Sequence, residues 1–179
     1  DTTAYGVDTL QIAAADGRAF VVCREHLQKP TSALRNFLRD SKVAKVGRSI
    51  SIDAGRLMQG HGLVVTNIID IAATAKELRV VQRANVSLDS LVRTCLDREL
   101  SGKTSIRLTE WSAPRLSDEQ LIYAAKDAYA SALVYENLCS RVDVEQIPVM
   151  TALVPDTDVR VYNQRMSRVA AIGRVVQSG

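Results

Sequence analysis

In YAAKDAYA, residues 123–130, a phenol (Tyr123) and a carboxylate (Asp127) stand four positions apart among alanines. Residues at that spacing lie one above the other on a helix face, so the two polar groups point the same way. Ala124, Ala125, Ala128 and Ala130 let a second body come close to the backbone. Such a pair serves one of two ends. It closes the edge of a core, with the hydroxyl bonded to a surface carboxylate, or it acts on something small at a catalytic site. A carboxylate that could join it is Asp53, in KVGRSISIDAGRL, six residues after the glycine that ends a short strand.

The elements that must carry these groups can be read from pattern and capping. Ser117 and Gln120 have capping-box spacing, and Asp118 and Glu119 follow in the first turn, where the helix dipole favours acids. A helix therefore starts there and carries Tyr123 and Asp127. Leu121, Ala125, Ala128, Ala132 and Tyr135 form one face of it, and Tyr123, Asp127, Ala130 and Val134 a neighbouring one. Upstream, Val7 to Ala14 reads as a strand, Asp16-Gly17 as a turn and AFVVC as a second strand, together a hairpin. Thr31 caps a helix over SALRNFLRD, KVAKVG is a short strand, and SIDAGRLM is a short helix. VVTNIID reads as a buried strand, IAATAKEL as a helix, and SLDSLVRTCL as an amphipathic helix capped by Ser87. Strands interleaved with helices predict an α/β fold. Beyond Pro148 and Pro155, VRVYNQRMSRVAAIGRVV predicts a C-terminal β-hairpin extension.

Composition narrows the function classes. A chain that is 46% hydrophobic and 24% charged matches globular domains and argues against disorder. No apolar run approaches a membrane span and no signal segment is recognisable, so an intracellular protein of nucleus or cytoplasm, with no membrane partner, is expected. The odd count of 3 cysteines fits reduced thiols, and His26 and His61, too far apart for a metal site, are expected on the surface or in loops. Basic residues crowd two stretches, one holding Lys29, Arg35, Arg39, Lys42, Lys45, Arg48 and Arg56, the other Arg93, Arg98, Lys103, Arg107 and Arg115. Converging in space, they would attract phosphates.

Several segments, taken in order, carry a family resemblance: TLQIA with Gln11, DGRAFVV, KVG to Asp53, IIDIA with Asp70, SLDSLV, and TEWSAPRLSDEQ running into YAAKDAYA. Together they resemble the DEDDy-type 3′-5′ exonuclease domains of the ribonuclease H-like superfamily, in the branch of the Werner syndrome exonuclease and ribonuclease D. The resemblance implies a ribonuclease H-like mixed β-sheet flanked by helices over residues 1–142, with 143–179 a linker and hairpin extension. It implies removal of nucleotides from the 3′ end of DNA or RNA by hydrolysis assisted by two Mg2+ or Mn2+ ions, hard cations that take oxygen ligands. In it Asp127 is a direct metal ligand, Asp53 supports the second metal, and Tyr123 orients the attacking water. Arg48, Arg56, Lys103 and Trp111 would contact the nucleic acid, whose free 3′ end is the expected partner. No protein partner is implied.

The chain departs from the family at its first motif, Asp-x-Glu, whose acids are both metal ligands. The simplest register gives Asp1-Thr2-Thr3, with Asp1 the surviving ligand and a neutral hydroxyl in place of the glutamate. A second register makes Asp8 the acid with Leu10 in the glutamate position. The strand that carries the motif is therefore expected to lie outside this sequence. Two functional expectations follow, an exonuclease or a degenerate module that binds nucleic acid or a protein without cleavage.

Overall fold

The computed structural model describes residues 6–14, 16–100, 104–113, 115–141, 158–162 and 169–174. The chain divides into two compact units, Asp1–Asn137 and Leu138–Gly179.

The first unit opens with the antiparallel pair β1 (Thr9–Ala13) and β2 (Ala19–Cys23), in register from Thr9↔Cys23 to Ala13↔Ala19. At the predicted turn Gly17 has φ of +91°, a conformation open to glycine without strain. Its N–H donates to the Ala14 carbonyl at 3.0 Å. A short helix, α1 (Arg24–Gln28), follows directly; the sequence pattern does not signal it, because 5 residues are too few to display a helical period. It buries Leu27 completely. Helix α2 (Ser32–Arg39) begins as predicted, with the Thr31 hydroxyl accepting from the Leu34 N–H at 3.2 Å. Leu27, Leu38, Leu57 and Leu63 form a core cluster, with Val7, Leu10, Val22, Leu34, Phe37 and Val65 packed against it.

Strand β3 (Lys45–Gly47) leads into helix α3 (Ile50–His61), and β4 (Ile68–Asp70) returns parallel to β3, pairing Lys45↔Ile68 through Gly47↔Asp70. The strand expected over VVTNIID is shorter than its sequence. Asn67 sits at φ of +54°, and its side-chain amide donates to the Ser41 carbonyl at 3.1 Å. The Thr66 N–H and hydroxyl are spent on the carbonyls of Leu38 and Arg39. Polar groups tied to the end of α2 cannot also build a ladder. His61, expected at the surface, is half-buried instead: its Nε2 lies 3.2 Å from the Val7 nitrogen and 3.0 Å from the Val7 oxygen, tying the end of α3 to the entry of β1.

Helices α4 (Ile71–Glu77), α5 (Leu88–Leu96), α6 (Thr104–Arg107) and α7 (Asp118–Ser140) complete the series. Ser87 caps α5 as predicted, accepting from the Ser90 N–H. The capping box of α7 is reciprocal: the Ser117 N–H donates to Gln120 Oε1 at 2.8 Å, and the Gln120 N–H to the Ser117 hydroxyl at 3.2 Å. Its inward face takes Ala130 and Val134 from the second of the two faces read in the sequence. Gln120, Ala124, Ala130, Ser131 and Val134 are buried, while Leu121 and Ile122 are 37% and 55% exposed. Gln120 anchors this face, because its Nε2 donates to Thr109 Oγ1 and to the Glu110 carbonyl, both at 3.0 Å.

In the second unit β5 (Asp158–Tyr162) pairs antiparallel with β6 (Val169–Arg174), with an irregularity between Val161 and Tyr162. The chain is thus α/β, with antiparallel and parallel pairings held in three separate two-stranded sheets. Among the described residues β1 and β3 each have a single partner strand.

Candidate active site

A cleft of about 1160 Å³ is lined along β1 and β3 but not along β2 or β4, so it lies on the sides of β1 and β3 away from their described partners. Asp53 and Arg56 of α3 line it, as do Tyr123 and Asp127 of α7. Arg48, Arg107 and Trp111 line it too.

Asp53 owes its place to another carboxylate. After Gly47 ends β3, Ser49 turns left-handed at φ of +56°, and its N–H donates to Asp70 Oδ2 at 2.6 Å. The other oxygen, Asp70 Oδ1, accepts from the N–H groups of Ala72 and Ala73 at 2.8 and 3.1 Å, capping α4. One side chain thereby fixes both the start of α4 and the turn that launches α3, with Asp53 in its first turn. Hydrogen bonds to a charged group are worth about 1.5–3 kcal/mol each. Asp70, which the resemblance includes through IIDIA, is a positioning residue and not a cleft-lining one.

The opposite wall is α7. Its buried positions, Gln120, Ala124, Ser131 and Val134, form a stripe at steps of three and four, and Asp127 falls in that stripe half-buried. A carboxylate on the inward row of a helix is costly unless something compensates it. Burial pushes the Asp127 carboxyl above the usual carboxylate range, while hydrogen bonding from the Tyr123 hydroxyl and the charge of Arg107 pull it back. Burial likewise raises Asp53, with Arg56 opposing. Much of the Asp53 surface is reachable by solvent, so the cleft walls, not a sealed core, account for its desolvation. Tyr123 is raised by burial, then by the charge of Asp127 and the bond to it, with Arg107 opposing. Its hydroxyl therefore keeps its proton at neutral pH.

Two other aspartates line the cleft but are already committed. Asp8, the acid of the second register, pairs with Arg24 at 3.3 Å, and Asp89 with Arg93 at 3.1 Å. The group most suited to Asp53 and Asp127 is a hard divalent cation. Among the described residues no group of three or more His, Cys, Asp or Glu side chains converges. Asp53 and Asp127 each offer the oxygen donors that Mg2+ takes.

The remaining predicted residues fall in different places. Arg48 donates through Nε to the Val86 carbonyl at 3.0 Å and through Nη2 to Asn85 Oδ1 at 3.4 Å, so it also braces the entry to α5. Trp111 donates from Nε1 to the Arg107 carbonyl at 3.3 Å, and its ring centroid lies 6.1 Å from that of Tyr123. Asp1 and Lys103 lie outside the described residues. Lys45, one of the basic residues that could have faced phosphates, is 8% exposed and points inward, donating to the carbonyls of Asp40 and Val43 at 2.6 and 3.0 Å. Its Nζ lies 5.7 Å from the Phe37 ring centroid. Arg107 is the residue that sequence reasoning left unassigned. It belonged to the second basic stretch, but only the fold places its charge against both Tyr123 and Asp127.

A family profile described as 3'-5' exonuclease matches residues 2–143. The chain is similar to "Exonuclease 3'-5' domain-containing protein 2" of Homo sapiens, 37% identical over 106 residues, which are 59% of this chain and 17% of that protein. It is similar to a "3'-5' exonuclease" of Arabidopsis thaliana, 33% identical over 132 residues, 74% of this chain and 45% of that protein. It thus spans less than half the length of either relative. The structure of Brucella melitensis NrnC bound to pGG is similar with a TM-score of 0.63 at 26% identity, over 74% of this chain and 63% of that one. The α/β architecture is ribonuclease H-like. None of the described helices is long and apolar enough to cross a membrane.

Proposed function

Because the chain belongs to the 3'-5' exonuclease domain family, we propose that it removes nucleotides from the 3′ end of DNA or RNA by phosphodiester hydrolysis assisted by Mg2+ or Mn2+. The observation that carries the reading is the presence of Asp53, Tyr123 and Asp127 along one cleft, with Arg48, Arg56 and Arg107 beside them. Asp53 and Asp127 are the residues that would hold the cation. When bound, divalent cations supply a water made nucleophilic at neutral pH and positive charge for the leaving oxygen. Tyr123, which keeps its proton, hydrogen-bonds the attacking water and orients it; it does not act as the base. The arginines draw the phosphate backbone in by charge, without regard to sequence.

The test is a 3′-end assay with 5′-labelled single-stranded DNA and RNA oligonucleotides. Stepwise shortening is expected with Mg2+ or Mn2+ and is abolished by chelator or by Asp127→Asn. Shortening that survives Asp127→Asn and Asp53→Asn removes the reading. A second reading, binding without cleavage, draws on the shortage of convergent ligands among the described residues. It predicts oligonucleotide binding that is indifferent to chelator and weakened by salt, with no turnover.

A further inference from the structure

The indole of Trp111 lies against the phenol ring of Tyr123. The two centroids are 6.1 Å apart and the planes are tilted by 53°, within the range that aromatic pairs adopt in preference to a face-to-face sandwich. We infer that Trp111 is a positioning residue, which acts on turnover by holding the Tyr123 ring and not by touching the nucleic acid. The inference rests on the reading of Tyr123 as the group that orients the attacking water.

Three features support it. First, the indole is itself fixed. Its Nε1 donates to the Arg107 carbonyl at 3.3 Å. Thr109, between the two, is tied on both sides: its N–H and hydroxyl donate to the Ile106 carbonyl at 3.2 and 2.7 Å, and its oxygen accepts from Gln120 Nε2. A second Gln120 bond takes the Glu110 carbonyl. Gln120 and Tyr123 stand three apart on α7 and so share a face of it. The clamp on the segment that bears Trp111 and the ring that Trp111 touches are therefore carried by one turn of one helix.

Second, Tyr123 needs a hold on its ring as well as on its hydroxyl. A tyrosine side chain turns about two bonds, and the partner of its hydroxyl is Asp127. Asp127 is also the carboxylate proposed to hold a cation, and oxygens engaged in that way accept a hydrogen bond from the phenol less strongly. The ring contact with Trp111 makes no such demand on Asp127, so it persists when that carboxylate is engaged. Third, Trp111 has little else to offer a nucleotide. It is half-buried, and its one polar group, the Nε1–H, is already spent on the Arg107 carbonyl.

The experiment measures kcat with Mg2+ or Mn2+, and the Kd for a single-stranded oligonucleotide in chelator, for four forms of the full chain: wild type, Trp111→Leu, Tyr123→Phe and the double variant. Trp111→Leu is expected to lower kcat by about tenfold, the scale of one aromatic contact and of a slightly misplaced group, and to leave Kd within about twofold. In the Tyr123→Phe background no hydroxyl remains to be aimed, so the same substitution should cost less than about twofold; residues that act through one another are not additive. Trp111→Phe keeps an aromatic face and gives up the bond to Arg107. Its kcat should fall between those of wild type and Trp111→Leu, again only where the hydroxyl is present, and this milder variant carries the test if Trp111→Leu does not fold. Equal losses of kcat with and without the hydroxyl overturn the inference, and so does an unchanged kcat. A Kd weakened by about fivefold or more, the least that a lost base stack is worth, assigns Trp111 to the nucleic acid and overturns it too. Failure of the wild type to cleave with either metal is a different result: it removes the nuclease reading and this role with it. Cleavage with additive Trp111 and Tyr123 losses removes this role alone.

Discussion

Removing the carboxylate of residue 70 should unseat the site from a distance. Asp70 makes three hydrogen bonds, to the backbone N–H groups of Ser49, Ala72 and Ala73 at 2.6, 2.8 and 3.1 Å. Loss of a helix N-cap costs about 1 kcal/mol. Loss of the charge-assisted bond that holds the Ser49 turn costs a further ~1.5–3 kcal/mol. Asp70→Ala is therefore expected to destabilise the first unit by about 2.5–4 kcal/mol. Asp70→Asn separates the contributions, because its amide oxygen can still cap α4 while its NH2 faces the Ser49 N–H donor to donor. It should lose the second contribution and keep most of the first. The assay is urea unfolding followed by far-UV circular dichroism, and in thermal unfolding each kcal/mol moves the midpoint of a chain this size by about 2–4 °C. Shortening of an oligonucleotide should fall more steeply than stability in both variants, measured where each is still folded, because the first turn of α3 carries Asp53. A cost below about 1 kcal/mol for Asp70→Ala, or identical costs for Ala and Asn, would refute the argument that one side chain holds both helix starts.

Three further outcomes follow from the same geometry. Burial raises Asp53 and Asp127 above their unfolded values, so the native state binds more protons between the two values and stability falls as pH rises through that window. Asp127→Asn should accordingly stabilise the metal-free chain at neutral pH, with the gain disappearing below the ordinary carboxylate range; a pH series of urea midpoints measures it, and a variant less stable than wild type at pH 7 contradicts it. Added Mg2+ or Mn2+ should raise the thermal midpoint of the wild type and leave that of Asp53→Asn/Asp127→Asn unchanged, by linkage of binding to folding. Leu27→Ala, which empties a fully buried position in the leucine cluster, should cost about 2–5 kcal/mol in urea unfolding without shifting the metal dependence of cleavage.

What could be read without coordinates was local. The caps at Thr31, Ser87 and Ser117, the turn at Asp16-Gly17 and the one-turn spacing of Tyr123 and Asp127 depend on neighbours a few residues away, and each stands in the structure as its spacing indicates. The family, too, was legible, because its motifs run in order along the chain. What required the tertiary structure was set by bonds between residues far apart in sequence. The left-handed Asn67 shortened β4 by binding back to Ser41, and Gln120 anchored α7 by reaching Thr109 and Glu110. On that helix Asp127 lines the cleft and Leu121 is exposed. Lys45 and Arg107 are both simply basic in the sequence. Packing sent one into the core against Phe37 and set the other beside the buried phenol and carboxylate. A side chain's burial, and with it the free energy of its charge, depends on what the rest of the chain places around it, and no window of neighbouring residues contains that.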